Sequence, residues 1–213
     1  GTGFDPARSQ RTFRIIANDN AAMMLGPGLI ARLREVPASG LRLAFLHPDA
    51  RPVEERLEQG EADVALGFRA PAGGALVVRQ LLADRFLVAR RKRHSRERKP
   101  LDLDAYCAAG HVIVSSDGGG FASPVDRALA ALGRKRRVAL SVQDYTLAAA
   151  LLATSDLLCT LPRRFLRRFA GSLATCEVPF ELAGFQLAMS WHPRMRDDAG
   201  HAWLRRQLVA AAR

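Results

Sequence analysis

The sequence predicts an α/β fold with mainly parallel sheets. Short apolar stretches of strand-like composition alternate along the chain with segments whose apolar residues recur at helical spacing. The chain has 213 residues, of which 48% are apolar and 25% charged, so it is long enough for one large hydrophobic core or two modest ones. This composition excludes intrinsically disordered and collagen-like proteins.

The first strand and helix are predicted within residues 12–40. Residues 12–17 have the composition of a strand. The run Asn18-Asp19-Asn20 consists of helix-capping residue types, and it predicts a helix that reaches residue 36 and is kinked early by Pro27. Residues 37–40, which contain proline and glycine, predict the end of this helix.

The remaining elements continue the alternation. The predicted strands cover residues 41–46, 62–68, 76–82, 85–90, 111–115, 138–142, 157–161, 172–178 and 186–191. The predicted helices cover residues 53–59, 123–132, 144–154, 162–170 and 197–212. Gly60 predicts a left-handed helix end, Gly73-Gly74 predicts a turn, and Ser123 with Asp126 predicts a capping box.

The order β-α-β-α-β in the first third of the chain predicts right-handed crossovers and a parallel sheet. In such sheets, ligands bind at the carboxyl ends of the strands. The residues at those ends are Asn18, His47 and the pair Phe68-Arg69. Small polar and cationic groups in these positions are suited to the capture of a small molecule.

The net charge of +11 is concentrated in the middle of the chain. Residues 1–84 carry ten basic and ten acidic side chains, residues 85–184 carry 17 and 9, and residues 185–213 carry 5 and 2. The middle bases fall in three runs, at residues 90–99, 134–137 and 163–168, with few aromatic residues among them. Because nucleic-acid interfaces need interleaved aromatic residues or a recognisable motif, a solvated basic face is favoured.

The sequence carries no motif that predicts an enzyme or a metal site. It has no G-x-S-x-G, Walker or H-E-x-x-H motif, and its histidines lack zinc-type spacing. Cys107, Cys159 and Cys176 are widely spaced, which predicts reduced thiols. No apolar run approaches the roughly 20 residues that span a bilayer, and no export signal is present. We therefore expect a cytoplasmic protein that has no cofactor, metal or membrane partner.

One glycine pattern has the spacing of a dinucleotide-binding fingerprint. Residues 26–31 read Gly-Pro-Gly-Leu-Ile-Ala, and Asp49 follows about twenty residues later. That motif requires a tight turn directly after a strand, whereas these glycines fall inside the predicted first helix. A nicotinamide-dependent oxidoreductase is therefore a minor alternative.

Several local matches point to one known family. They are residues 4–7 (Phe-Asp-Pro-Ala), 11–15, 27–34, 57–67 and 87–90, with His94, Gln143-Asp144-Tyr145, Leu161-Pro162 and Trp191-His192. On these residues, and along essentially its whole length, the chain resembles the effector-binding domain of LysR-type transcriptional regulators. It departs from the family at Ser95, where a proline usually follows the histidine, and in the basic stretch after it.

The resemblance implies a two-lobed fold like that of type 2 periplasmic binding proteins. Lobe I would comprise residues 11–84 and 185–213, and lobe II residues 85–184, each a mainly parallel sheet flanked by helices. Two crossing strands, near residues 85–90 and 184–191, would form the hinge, and the effector would lie in the cleft. The alternative is a free-standing solute-binding protein of a transport system, which has the same fold.

The resemblance also implies which residues line the cleft. Lobe I would contribute Asn18, Asp19, Asn20, His47, Phe68 and Arg69, and lobe II would contribute Ser115, Ser116, Phe121, Asp144, Thr146 and Pro162. Some have structural alternatives: Asn18 or Asn20 as helix caps, Phe121 as loop packing, and Asp144 as a partner of the helix dipole. Arg69 can hold a carboxylate with two hydrogen bonds, which predicts a carboxylate-bearing effector, whereas Asp19 and Asp144 oppose an anion.

Finally, the resemblance implies a sensory domain that acts through oligomers. Effector binding would shift the lobes and change the geometry of a homodimer or homotetramer. In the family, the first helix of one subunit packs against a lobe II helix of another, which here corresponds to residues 25–36 against 123–132. Family members carry an N-terminal winged helix-turn-helix domain that this chain lacks, so DNA is expected as a partner only through that domain.

Overall fold

Strands and helices alternate along the chain, which confirms the predicted α/β class. A computed structural model describes residues 3–36, 40–67, 75–92, 100–115 and 118–213. The chain divides into two compact units, of which the first comprises Gly1–Ala83 and Gln186–Arg213 and the second comprises Asp84–Phe185. Within the described ranges, no helix is long and apolar enough to cross a membrane.

The elements are numbered in chain order. The strands are β1 (Thr12–Ile16), β2 (Arg42–Leu46), β3 (Val64–Gly67), β4 (Val77–Asp84), β5 (Phe86–Arg91), β6 (Gly110–Val114), β7 (Arg137–Val142), β8 (Cys159–Pro162), β9 (Leu173–Cys176) and β10 (Phe185–Trp191). The helices are α1 (Asp19–Arg34), α2 (Val53–Glu58), α3 (Leu103–Ala108), α4 (Pro124–Ala131), α5 (Tyr145–Ala153), α6 (Arg163–Leu166) and α7 (Ala199–Ala211). Short 3₁₀ turns follow at Arg167–Phe169 and Pro193–Met195.

The sheet of the first unit has the strand order β2-β1-β3-β10-β4. β1 is parallel to both β2 and β3, whereas β10 is antiparallel to β3. Phe13 and Ile15 of β1 are fully buried against apolar residues of α1 and α7, including Leu25 and Leu204. Because β1, β2 and β3 are parallel, the residues that follow these strands lie at one carboxyl edge of the sheet.

Helix α1 begins and packs as its residue types require. Asn18 caps it, and the helix runs continuously through Pro27 to Arg34. A Cβ atom at Gly28 would lie 3.0 Å from Ala211 Cβ, so glycine allows α1 and α7 to approach closely. α1 ends at Arg34, shortly before the predicted stop at residues 37–40, of which 37–39 lie outside the described part of the chain.

The second unit contains a parallel pair and an antiparallel group. β6 is parallel to β7, and β5 lies between β8 and β9, antiparallel to both. A single parallel bridge between His111 and Leu158 connects β6 with the start of β8. The resulting sequence of neighbours, β7-β6-β8-β5-β9, has the same pattern of directions over its first four strands as the sheet of the first unit. The carboxyl ends of β6, β7 and β8 therefore face one way.

The capping predictions are confirmed at two helices. Ser123 and Asp126 form the reciprocal capping box of α4, in which Asp126 Oδ2 accepts the Ser123 N–H at 2.7 Å. Gly60 has φ +74° after α2, in the left-handed region that favours glycine. The helix predicted over 162–170 is shorter than expected, because only Arg163–Leu166 is α-helical before the 3₁₀ turn.

Helix α3 was missed by the sequence analysis. Asp102 caps it by accepting the Ala105 N–H at 2.7 Å, so a start signal is present. The helix has only six residues and buries only Tyr106, which is too short for an apolar period to appear. The predicted turn at Gly73-Gly74 and most of the basic loop at 92–100 lie outside the described residues.

Candidate functional site

Two predicted site residues lie side by side at the carboxyl edge of the first unit's sheet. The strand register pairs Ile16, at the end of β1, with Leu46, at the end of β2. The Ala17 N–H extends this ladder by donating to the Leu46 carbonyl at 2.9 Å. Asn18 follows Ala17 and His47 follows Leu46, so the structure brings Asn18 and His47 to the same edge of the sheet.

Asn18 and Asp19 are engaged in the start of α1. Asn18 Oδ1 accepts the Ala21 N–H at 2.9 Å, which is the capping role named as its structural alternative. Asp19 Oδ1 accepts the Asn20 N–H at 3.0 Å and lies in the first turn, where the helix dipole favours an anion. Both side chains are only partly buried, so each keeps some surface at the edge.

Asn20 differs from its two neighbours because its amide group is buried and unsatisfied. The residue is 0% exposed, and neither Nδ2 nor Oδ1 has a hydrogen-bond partner among the described residues. A buried amide without partners costs about 1–3 kcal/mol per group. The side chain therefore offers one donor and one acceptor that a water molecule or a ligand would satisfy.

His47 is exposed, and its backbone is held by a buried arginine. Its Nδ1 lies 2.8 Å from the Pro48 carbonyl oxygen. Arg56 is only 4% exposed, donates from Nη1 to the His47 carbonyl at 3.2 Å, and bonds Glu61 at 2.9 Å. The hydrogen bond from Arg56 lowers the pKa of Glu61. Sequence analysis missed Arg56 as a positioning residue for the His47 loop.

Three predicted site residues lie outside the described part of the chain. Phe68 and Arg69 follow Gly67, the last residue of β3, and Ser116 follows Ser115. Gly67 lies opposite Ala188 of β10. The roles of Phe68, Arg69 and Ser116 stay predictions.

A second group of predicted residues lies at the carboxyl ends of β6 and β7. The Ser115 N–H donates to the Val142 carbonyl at 2.8 Å, which places Ser115 beside the end of β7. Ser115 Oγ accepts the Gly120 N–H at 3.3 Å, and Ser141 Oγ donates to the Gly120 carbonyl at 2.6 Å. The backbone of Gly120 is thus held against the ends of β6 and β7.

The remaining predicted residues of the second unit differ in exposure. Phe121 is 60% exposed, so it is not packed away within the loop. Asp144 is the N-terminal flanking residue of α5 but makes no side-chain capping bond, and Thr146 is exposed in the first turn. Pro162 is buried at the end of β8, opposite Phe86 of β5.

Arg136 corrects the prediction that the run 134–137 is a solvated basic face. Its side chain is only 2% exposed and bonds both carboxylate oxygens of Asp126, at 2.8 and 2.9 Å. It also donates to Ser123 Oγ at 3.1 Å and to the Tyr106 hydroxyl at 3.3 Å. The prediction failed because the burial of an arginine depends on acceptors supplied by other elements of the fold.

The buried network around Arg136 also shifts two pKa values. Burial lowers the pKa of His111 to about 4, and the charge of Arg136 contributes in the same direction. Burial alone would raise the pKa of Asp126, but the hydrogen bond from Arg136 leaves it lowered. This network joins α3, α4 and β6 to Arg136, the residue before β7, and we assign it a structural role.

The described residues form no candidate metal site. They contain no group of three or more His, Cys, Asp or Glu side chains placed to hold a metal ion. The three cysteines are free thiols, and burial raises the pKa of Cys159 to about 12. Residues 26–31, with their fingerprint spacing, lie wholly inside α1, so their backbone does not form the phosphate-binding turn.

Comparisons with known proteins agree with this arrangement. The LysR substrate binding domain family matches residues 6–213. The HTH-type transcriptional activator NagR of a Ralstonia species is 31% identical over 215 residues, covering 97% of this chain and 68% of NagR. A second HTH-type regulator is covered over 64% of its length, so the chain spans about two thirds of these curated relatives.

Two solved structures share the fold over nearly the whole chain. A probable transcriptional regulator from Pseudomonas aeruginosa has a TM-score of 0.86 at 31% identity, covering 98% of this chain and 69% of that chain. The regulatory domain of MexT, a transcriptional activator in Pseudomonas aeruginosa, has a TM-score of 0.81 at 28% identity, with 96% of this chain and 100% of that chain covered. They confirm the predicted periplasmic-binding-protein-like fold class.

Proposed function

The chain belongs to the LysR substrate binding domain family, and from this premise we propose that it senses a small-molecule effector for a transcriptional regulator. Binding shifts the population between two states of the domain, which requires that the effector bind the two states unequally. The chain does not turn over what it binds. The comparisons favour this function over that of a free-standing transport protein, since the relatives are regulators.

The observation that carries this proposal is the amide of Asn20. It is a buried donor and acceptor pair that has no hydrogen-bond partner among the described residues, and it lies in the first turn of α1, two residues after Asn18 at the carboxyl edge of the sheet. Ligands of open α/β sheets bind at this edge. We propose that an effector, or a water molecule bound with it, satisfies Asn20, with Asn18, Asp19 and His47 around it.

We propose that the second unit contributes through the ends of β6, β7 and β8. The residues there are Ser115, Ser116, Phe121, Asp144, Thr146 and Pro162. In this proposal, residues 11–84 with 185–213 form lobe I, residues 85–184 form lobe II, and the effector lies between them. The strands near residues 85–90 and 184–191 form the hinge.

A carboxylate on the effector is the chemical feature that we propose Arg69 recognises. Arg69 follows β3 by two residues in the sequence, and a guanidinium can bond both oxygens of a carboxylate. Asp19 and Asp144 disfavour a second negative charge on the effector. We therefore propose an effector with one carboxylate and neutral polar groups.

The regulator is proposed to work as a homodimer or homotetramer in the cytoplasm. Ile30 of α1 is 53% exposed and Leu132, next to α4, is 52% exposed, which supports the contact between residues 25–36 and 123–132 of two subunits. Large exposed apolar side chains often mark protein interfaces. Contact with DNA is assigned to the helix-turn-helix part after which the relatives are named.

Thermal-shift screening of the chain against organic acids, amino acids and aromatic metabolites tests the proposal, because a bound effector stabilises the folded state by mass action. Calorimetric titration then measures the affinity of the best compound for the wild type, for Arg69→Ala and for Arg79→Ala. Arg79 is an exposed arginine of β4 and serves as the control. We expect at least about tenfold weaker binding for Arg69→Ala and no change for Arg79→Ala. Equal affinity in wild type and Arg69→Ala would place the anchor elsewhere.

A further inference from the structure

A small pocket lies in the second unit, on the face of the sheet that α6 covers. It has a volume of about 240 Å³ and is built by β5, α6 with its 3₁₀ turn, and β9. Leu87, Leu166 and Leu173 are the large apolar residues of its lining, which also includes the polar residue Thr175. These residues lie on the face of the strands, whereas the proposed effector site uses the strand ends.

Two arginines line the same pocket, one helical turn apart. Arg163 and Arg167 are four residues apart in the segment formed by α6 and its 3₁₀ turn. Arg167 is exposed and has no hydrogen-bond or ion-pair partner among the described residues. Lys92 adds a third cation nearby, because its Nζ donates to the carbonyl of Ala170, another lining residue, at 3.0 Å.

The acidic groups nearby do not neutralise these cations. Asp84 is buried and lies 3.6 Å from Arg163 Nε, while its other oxygen accepts the Arg164 N–H at 2.8 Å. Glu177 is bonded to Arg85 through both carboxylate oxygens. The Asp84 carboxylate is thus shared between Arg163 and the backbone of Arg164. Arg167 and Lys92 leave a net positive charge beside the pocket.

The combination of an apolar lining and one unpaired guanidinium, that of Arg167, selects one class of ligand. A strongly hydrated inorganic anion gains nothing from three leucines, and a neutral apolar molecule gains nothing from the arginines. The volume is below the range of about 300–1,000 Å³ that is usual for drug-sized ligands, so the ligand is small. We propose that this pocket binds a small monocarboxylate with an apolar body, as a second site beyond the effector site proposed above.

Binding of cyclohexanecarboxylate to the chain, followed by methyl NMR of the leucines, tests this site. We expect the acid to shift the methyl signals of Leu87, Leu166 and Leu173, whereas cyclohexanecarboxamide binds at least about tenfold more weakly. Inorganic phosphate should shift none of them. The site is overturned if the acid leaves these signals unmoved, or if the amide or phosphate moves them equally well.

Two exposed neighbours provide a matched pair of variants. Arg167→Gln should lower the affinity for cyclohexanecarboxylate by at least about tenfold, because it removes the unpaired guanidinium. Arg168→Gln removes the same charge from the adjacent exposed residue, which is not among the lining residues of the pocket. This variant should bind cyclohexanecarboxylate with the affinity of the wild type. Equal weakening by both variants would reduce the effect to general attraction by net charge and overturn the site. Asn20→Leu, in the other unit, should leave these shifts intact, which separates this site from the proposed function.

Discussion

The guanidinium of Arg136 is bonded by polar groups from two other segments of the second unit. Asp126 and Ser123 belong to the start of α4, and Tyr106 belongs to α3. Because their bonding positions are arranged around a single cation, loss of that cation leaves buried acceptors and a carboxylate without a partner. At the residue scale, we therefore expect this network to contribute to the stability of the second unit.

We expect Arg136→Ala to lower the free energy of unfolding by about 3 kcal/mol, because breaking a buried ion pair leaves its partner uncompensated. Arg127→Ala is the matched control, since Arg127 is an exposed arginine of α4 next to Asp126, and it should change stability by less than about 0.5 kcal/mol. Urea denaturation of the two variants measures both. Similar losses would show that the network contributes little.

His111 makes the stability of the second unit dependent on pH. Its Nε2 lies 2.7 Å from the Tyr106 carbonyl, which can only accept, so Nε2 carries the proton and Nδ1 faces Arg136 at 3.4 Å. Protonation of Nδ1 would place a second cation against the guanidinium. The pKa in the folded chain is about 4, below the ordinary value of 6.5, so the unfolded chain binds the proton first on acidification.

Stability should therefore be fully present above pH 6.5 and fall as the pH decreases towards 4, by up to about 3 kcal/mol from this residue. The pKa of His201 is also lowered by burial, so part of the loss remains when His111 is replaced. Urea denaturation across this range should show a smaller loss for His111→Gln than for wild type. NMR titration of the His111 ring protons with a midpoint at or above 6.5 would contradict the assignment.

Residue types in the sequence indicated the edges of the sheets but not the state of each side chain. Asn18 and Asn20 are the same residue type in the same short run, yet one caps α1 and the other is buried without a side-chain partner in the part of the chain that the structure describes. Arg136 looks like the other members of its basic run. Such differences arise from tertiary packing, which supplies or withholds partners that are distant in the sequence.

At the scale of elements, the α1–α7 contact depends on one of the two glycines of α1, Gly28. Gly28 lies against Ala211, whereas a Cβ atom at Gly26 would be 3.7 Å from the Phe45 ring, an ordinary contact distance. Glycine in a helix costs about 1 kcal/mol relative to alanine. The two positions should therefore respond in opposite directions to a larger side chain.

Gly26→Ala should raise the free energy of unfolding by about 0.5–1 kcal/mol, because it lowers the entropy of the unfolded chain without a clash. Gly28→Leu should lower it by about 1–3 kcal/mol, because the side chain pushes α7 away from α1. Chemical denaturation of both variants is the measurement. Stabilisation by Gly28→Leu would mean that the two helices do not pack closely.

The elements with long patterns or strong caps were the ones that the sequence predicted. α1, α4 and the strands with apolar cores carry such signals, and their bounds agree with the predictions to within a few residues. α3 has a cap but no period, and α6 ends early because the chain tightens into a 3₁₀ turn. Neither effect leaves a pattern in a short run of residues.

At the scale of the whole molecule, the proposed assembly would use the apolar surface of α1. Ile30 is 53% exposed in the part of the chain proposed to contact a second subunit. Ile30→Asp should shift the chain towards monomers in sedimentation velocity, because it places a charge in an apolar interface. Leu147→Asp, at a 45% exposed position of α5, should leave the oligomeric state unchanged. No difference between the two variants would place the interface elsewhere.

The most direct test of the account is a crystal structure of the chain with a metabolite that raises its melting temperature in the thermal-shift screen. The account predicts electron density for that metabolite at the carboxyl ends of the strands, within hydrogen-bonding distance of Asn20 or of a water molecule that Asn20 holds. It also predicts contact with Ser115 or Thr146 of the second unit. Density that touches neither set of strand ends would contradict it.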